Sequence, residues 1–320
     1  MSETPKKPQL HQSHLQALSR CGYKFSRAVL GGEREPQTTP LVIGTGTHAT
    51  NAQDLQNKID RGILLPRDAI ADFARDNFLR AWDETPVVLT DDERFQGLQK
   101  AKASAMDKTI ECSKAYHYEC APKIEPIAVE KKFVINFIDY EFDFAGQIDV
   151  DENKTMADGE MFGDPIIGEG IRDTKTRKTN LGQSEVEKSE QYTHYAFYKW
   201  IESGKTKIPA FVAQDSIIKP TRSRSAYCVT HYSRRTLDDF AVAFHRFDQA
   251  CKIIASGAFT PANPCDWWCS KEFCGFAAAG TCKFYNSKSR GITKKPTGGI
   301  KNGISKQDVL AGLSRTLSNG

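Results

Sequence analysis

The sequence predicts an α/β fold: a mixed sheet of about five strands flanked by helices, with a helical region ahead of it and a helix and a cysteine-rich segment behind. Three observations carry that expectation. The first third of the chain reads as successive helices, the hydrophobic period then changes to two, and amphipathic helical stripes return at 185–202 and 233–256 around further strand-like runs.

Taken in order, residues 14–30 read as a short helix that contains Cys21 and is closed by Gly31 and Gly32, where a left-handed cap costs least. A polar linker at 33–40 leads to Leu41-Val-Ile-Gly-Thr-Gly-Thr-His48, read as a Gly/Thr turn before helices at 49–60 and 66–82; another helix covers 91–112. From 140 to 150 the even positions are Tyr140, Phe142, Phe144, Gly146, Ile148 and Val150, while the odd ones include Glu141, Asp143, Gln147 and Asp149. That is a strand with one buried and one polar face, and 127–138 reads as its hairpin partner. After a Gly- and acid-rich connection at 151–164, a third strand is expected at 165–176, and two more at 208–218 and 226–232. In 233–256, Leu237, Phe240, Ala241, Phe244, Phe247, Cys251 and Ile254 recur at helical spacing and mark a buried stripe. No internal repeat is evident.

With 320 residues, 39% of them hydrophobic, the chain can build one large domain or two smaller ones. Its net charge of +4 is unevenly spread: residues 283–320 hold eight Lys or Arg against one Asp, which leaves the remainder near −3. Such a tail can neutralise phosphates, or simply stand as a solvated, unstructured extension. There is no run of 18 apolar residues and no hydrophobic signal core behind the polar N-terminus, so a cytoplasmic protein without membrane contact is expected. Nine cysteines, an odd number at uneven spacing, argue for metal or core roles over a disulfide framework.

The most informative segment is Ile171-Arg-Asp173-Thr-Lys175-Thr, preceded by Gly146-Gln-Ile-Asp149. Residues two apart on a strand share a face, so Asp173 and Lys175 project together. An ammonium beside a carboxylate can orient an attacking water and offset negative charge developing at a phosphate. Asp149 would complete a hard oxygen site for Mg²⁺ or Mn²⁺. Alone, the triplet is a weak signal, since surface strands often pair an acid and a lysine for solubility.

Four motifs occur together in one order: His48 in Gly44-Thr-Gly-Thr-His48, Asp149 in Gly146-Gln-Ile-Asp149, Asp173-Thr-Lys175-Thr, and Gln191-x-x-x-Tyr195. In that order they resemble the RecB-like nucleases of the PD-(D/E)XK superfamily over about residues 14–285. The resemblance implies a restriction-endonuclease-like core, a metal held by His48, Asp149, Asp173 and the Thr174 carbonyl, and Lys175 as the group that positions or activates water. Gln191 and Tyr195 would contact the site or the DNA from the helix behind the core strands; positions four apart on a helix do share a face. Glu130, in Ala128-Val-Glu130, matches an acid found ahead of the first core strand in the family, and reads equally as an edge-strand charge. Gly44-Thr-Gly-Thr is not followed by Gly-Lys-Ser/Thr, which argues against a P-loop.

Cys265, Cys269, Cys274 and Cys282 fall within eighteen residues beside Trp267 and Trp268. Four thiolates suit an iron-sulfur cluster or structural zinc. A subset of RecB-like nucleases, including the AddB type and CRISPR adaptation nucleases, holds a [4Fe-4S] cluster with one cysteine before the core and three after it. By that resemblance the ligands are Cys21, Cys269, Cys274 and Cys282, although the last three are spaced more widely than is common in the family; the alternative is a zinc site with Cys265 in place of Cys21. The tryptophans either pack around this knot or offer stacking surfaces to a single strand. Cys112, Cys120 and Cys228 read as ordinary thiols, with His117 a weak hint of another metal site.

The domain organisation expected is a helical region at 1–125 that includes Cys21 and His48, a nuclease core at 126–232, a helix and cysteine region at 233–288, and a basic tail at 289–320. The resemblance implies a metal-dependent deoxyribonuclease, an exonuclease by preference, acting on single strands or duplex ends in recombination or repair, with a helicase or recombination protein as a partner in some relatives. The competing class is a non-catalytic nucleic-acid-binding or assembly protein on the same fold.

Overall fold

The computed structural model describes residues 7–285 apart from positions 85, 158 and 162; the expected basic tail at 289–320 lies outside the described residues. The sheet has six strands, one more than expected: β1 (Gln9–His11), β2 (Pro126–Ile135), β3 (Asp143–Lys154), β4 (Gly168–Arg177), β5 (Phe211–Ile218) and β6 (Tyr227–Ser233). β3 is its hub. Along one edge it pairs antiparallel with β2; along the other it takes β1, parallel, at Asp143–Ala145 and β4, antiparallel, from Val150 onward. β4 runs parallel to β5, and β5 antiparallel to β6, so the sheet is mixed. β1 carries only three residues, too few to show a period.

The helices are α1 (Gln12–Arg20), α2 (Gly22–Phe25), α3 (Thr39–Arg61), α4 (Arg67–Glu84), α5 (Asp91–Gln96), α6 (Leu98–Glu119), α7 (Gln183–Lys188), α8 (Glu190–Glu202), α9 (Leu237–Ser256) and α10 (Gly275–Ala278). Several single helices expected from the sequence are broken. Residues 14–30 divide at Cys21, whose backbone is extended (φ −159°, ψ 96°), so Cys21 caps α2 rather than lying inside a helix. Gly97 separates α5 from α6 with φ 89°, and extended Ser189 separates α7 from α8. The Gly/Thr segment before His48 is not a turn: α3 begins at Thr39 and runs through it. The Thr47 and Thr50 hydroxyls there return hydrogen bonds to the Ile43 and Gly46 carbonyls, which gives these polar side chains partners inside the packed helix.

Two main apolar cores lie against the sheet. One joins α1, α8 and α9 to Phe133, Ile135, Phe144, Ile148 and Ile171; of the stripe expected on α9, Phe240 and Phe247 are buried in it and Cys251 is half-buried at its margin, whereas Leu237, Ala241 and Phe244 are exposed and Ala243 and Ala250 share the buried face. The other joins α3 and α6 to Val150 and Ile217, with Val129 packed against it. Ile148 and Val150 have the same parity yet enter different cores, as do Phe133 and Val129. The alternation expected through Val150 is therefore interrupted between them, and β3 starts at Asp143 instead of 140. The interruption falls at Glu130, whose φ of 53° is left-handed.

His117 serves no second metal site in the described residues. Its Nδ1 lies 2.8 Å from Asp54 Oδ2, a buried contact that ties α6 to α3. Behind β4, the buried Arg172 guanidinium donates to Glu152 Oε1 (2.8 and 3.1 Å), to Asp215 Oδ1 (2.7 Å) and to the Tyr232 hydroxyl (3.3 Å), joining β3, β4, β5 and β6. Replacing it leaves two buried carboxylates without their cation. Arg172→Met is expected to lose about 3–5 kcal/mol of folding stability in urea unfolding, and a loss within experimental error of zero would remove this network as a support of the sheet.

Candidate metal and acid–lysine site

β3 and β4 pair from Lys154–Gly168 to Val150–Arg172 and then part. Asp149 and Asp173 are the next residue on each strand, so both acids stand where the sheet forks. On the other side of β3, Val129 pairs with Val150 and Lys131 with Ile148, which leaves Glu130 opposite Asp149. Three acids thus occupy matching positions on three neighbouring strands.

Helix α3 brings His48 over the fork, with Nδ1 3.1 Å from Asp149 Oδ2. One ligand atom from each of His48, Glu130 and Asp149 lies within 4.8 Å of the others, and each residue is half-buried. Asp173 stands beside this trio and not within it. Its Oδ2 is 2.7 Å from the Lys175 ammonium and accepts from the Tyr192 hydroxyl at 3.2 Å, while Oδ1 accepts from Gln191 Nε2 at 2.8 Å. Thr174 contributes its N–H, which donates to Asp149 Oδ2 at 2.9 Å. Tyr195 is buried and edge-on to Phe133; it reaches the site through Gln191, whose Nε2 donates to its hydroxyl at 2.7 Å.

The electrostatics follow from crowding. Burial and the neighbouring Asp149 push the Glu130 carboxyl up to about 7. Burial likewise pushes Asp173 to about 6 against the pull of Lys175. Burial also acts to raise Asp149, but His48, Lys175 and the Thr174 N–H hold it below the usual carboxylate value. For His48, burial opposes the charged ring and Asp149 outweighs it, so its pKa is raised. Lys175 is raised too, because Asp173 and Asp149 outweigh its burial. One imidazole and two carboxylates, one of them pushed up by burial and by its neighbouring acid, are a donor set that suits a divalent cation.

Two contributors went unnoticed in the sequence. Tyr192 follows Gln191, and its buried hydroxyl lies 2.6 Å from Gln214 Oε1 as well as against Asp173. Gln214 sits on β5 in register with Asp173 and donates to Ser216 Oγ at 2.8 Å. The available signal was a Gln-Asp-Ser run in the middle of an otherwise apolar strand, where polar side chains need partners.

The cysteines form a separate neighbourhood. Cys21 Sγ accepts from the N–H groups of Lys24 (3.4 Å) and Ala262 (3.3 Å), and Gly22 N–H donates to the Thr260 carbonyl at 2.7 Å. Gly275 N–H donates to Glu35 Oε1 (2.7 Å), which Lys24 also meets, and Arg27 donates to the Thr281 carbonyl at 2.9 Å and lies over Phe276. The segment around Cys21 is therefore packed on the segment that carries Cys274 and Cys282. Among the described residues no three thiols lie within 4.8 Å of one another, whereas a tetrahedral zinc with bonds of about 2.3 Å holds its sulfurs closer than that. Cys265 is exposed.

The family model of the PD-(D/E)XK nuclease superfamily matches residues 9–280. No curated protein matches the chain.

The raised Glu130 carboxyl has a thermodynamic consequence. Its folded value of about 7 lies above the ordinary 4.5, so the folded state binds that proton more tightly than the unfolded state. The resulting stability is fully present below pH 4.5 and is lost as pH rises through about 7. In metal-free protein, Glu130→Gln is expected to melt higher than the parent above about pH 7.5, with the difference closing under acid conditions. Identical melting curves across that range would show that the carboxyl is not confined as described.

Proposed function

We propose that the chain, which belongs to the PD-(D/E)XK nuclease superfamily, is a deoxyribonuclease that uses a divalent cation to hydrolyse DNA phosphodiesters from strand ends. The observation that carries this reading is the Asp173–Lys175 ion pair at the fork, set beside His48, Glu130 and Asp149. His48, Glu130 and Asp149 would hold Mg²⁺ or Mn²⁺, with Asp173 at the margin of the set. Such a cation lowers the pKa of water and polarises phosphoryl oxygens.

The chain's own residues supply the rest. The Lys175 ammonium, kept charged by Asp173 and Asp149, can hold the attacking water by its lone pair and offset charge that develops on the phosphate. Asp173 is fixed by Gln191 at Oδ1 and by Tyr192 at the Oδ2 that meets Lys175, so Lys175 is anchored to an acid that cannot swing away. Thr174 N–H holds Asp149 in the same way from the backbone. Action at ends, in preference to internal cutting, and a place in recombination or repair rest on the RecB-like order of the motifs.

The same reading includes a [4Fe-4S] cluster on Cys21, Cys269, Cys274 and Cys282. Its support is the packing of the Cys21 segment on residues 260–262 and 275–281; a cluster spreads its ligands over separate irons and so asks for more widely spaced thiols than one zinc ion does. Iron and sulfide measured on anaerobically purified protein are expected at about four each per chain. Zinc without iron would replace the cluster with a structural zinc site.

Linear DNA labelled at one end is expected to lose its label in Mg²⁺ or Mn²⁺, and not without metal. Lys175→Ala and Asp173→Ala are expected to fold and to lose at least about a hundredfold in rate. A Lys175→Ala protein as active as the parent would overturn the assignment, and no cleavage by any form of folded parent would favour a binding role.

A further inference from the structure

Helix α3 carries two glycines, and packing accounts for one of them. A Cβ on Gly46 would lie 3.0 Å from Phe78 Cα and 3.1 Å from Thr109 Cγ2, so Gly46 lets α4 and α6 close onto α3. A Cβ on Gly44 would meet nothing within 4 Å. Nor does the backbone require glycine there, since Gly44 has no positive φ and lies inside a regular helix. Glycine in a helix interior destabilises relative to alanine. The fold therefore carries a cost at Gly44 for which it shows no return of its own.

Position fills the gap. Gly44 is one turn before His48 on the same helical face. Helical side chains lean toward the N-terminus, so the His48 ring leans over the turn that Gly44 occupies. Leu41, three residues earlier on that side, is exposed, and the Thr45 hydroxyl is turned back to the Leu41 carbonyl at 3.2 Å. The result is a smooth strip of helix that begins where the Lys219 ammonium meets the Pro40 carbonyl at 3.4 Å and ends at a donor of the His48–Glu130–Asp149 trio.

We propose that this strip over Gly44 seats the nucleotide next to the scissile phosphodiester, with its sugar face against the helix backbone and Leu41. Gly44 is then a specificity-determining position: any side chain there stands in the strand's approach to His48. Leu41 and Gly44 have no side-chain donors for phosphate oxygens and so suit the sugar face, while the Lys219 ammonium at the Pro40 carbonyl offers positive charge at the head of the strip. The inference rests on the nuclease reading and adds to it the path by which the strand enters.

The test uses Gly44→Ala and Gly44→Leu in the full chain, read by thermal melting, by KM and kcat on a short single-stranded oligonucleotide, and by binding of that oligonucleotide with Lys175→Ala as the background so that it is not cut. Gly44→Ala is expected to melt as high as the parent or a few degrees higher, while KM rises and binding weakens by about tenfold and kcat changes less. Gly44→Leu is expected to weaken both further. A parent that cleaves, together with a folded Gly44→Ala or Gly44→Leu that binds and cleaves as the parent does, overturns the inference and leaves the nuclease reading standing. A parent that cleaves no DNA counts against the nuclease reading itself, and the inference falls with it.

Discussion

Three carboxylates at matching positions on adjacent strands cannot all stay ionised in a partly buried fork without nearby positive charge. Glu130, Asp149 and Asp173 are in that position, and the rest of the site can be understood as the ways in which each is accommodated. Asp149 is satisfied by His48 and the Thr174 N–H, and stays a strong acid. Asp173 is pinned by Lys175, Gln191 and Tyr192. Glu130 has no comparable partner among the described residues, and burial beside Asp149 pushes its carboxyl up. Glu130 is therefore the least accommodated of the three carboxylates, and it stands beside the donors of His48 and Asp149.

That crowding has a counterpart in the backbone. At Glu130 the strand enters the left-handed region, at a typical cost of about 1–3 kcal/mol for a non-glycine residue. On either side of it β2 and β3 pass their apolar side chains from the core under α8 to the core under α3 and α6. Helices from both layers reach the fork because of this exchange: α3 delivers His48, and α8 delivers Gln191 and Tyr192. A strictly alternating pair of strands would have presented its acids to one layer only.

Much of this was legible in sequence because the chemistry is carried by short-range spacing. Asp173 and Lys175 lie two apart on a strand, and Gln191 and Tyr195 four apart on a helix; the fold keeps both relations. Their partners were harder to see. His48 was recognisable but its surroundings were misread, because a Gly-Thr-Gly-Thr run has low intrinsic helix propensity and only packing against α4 and α6 makes it helical. Tyr192 and Arg172 act through contacts between elements distant in sequence, for which local patterns hold no signal. The breaks at Cys21 and Ser189 are likewise imposed by what those residues meet across the fold, as with Ala262 N–H at Cys21 Sγ.

The cysteine-rich region bears on the fork through β1. Where β4 leaves β3, the vacated edge at Asp143–Ala145 is taken by Gln9–His11, and Lys7 reinforces it by donating to the Phe137 carbonyl at 2.7 Å. A three-residue strand contributes few ladder bonds and would fray unless it is held elsewhere. It runs directly into α1, α1 into Cys21, and the Cys21 segment is packed on residues 260–262 and 275–281. The closure of the two ends of the described chain thus fixes the strand that completes β3 next to Asp149. In this arrangement packing remote from the carboxylates stabilises their geometry without contributing an atom to them.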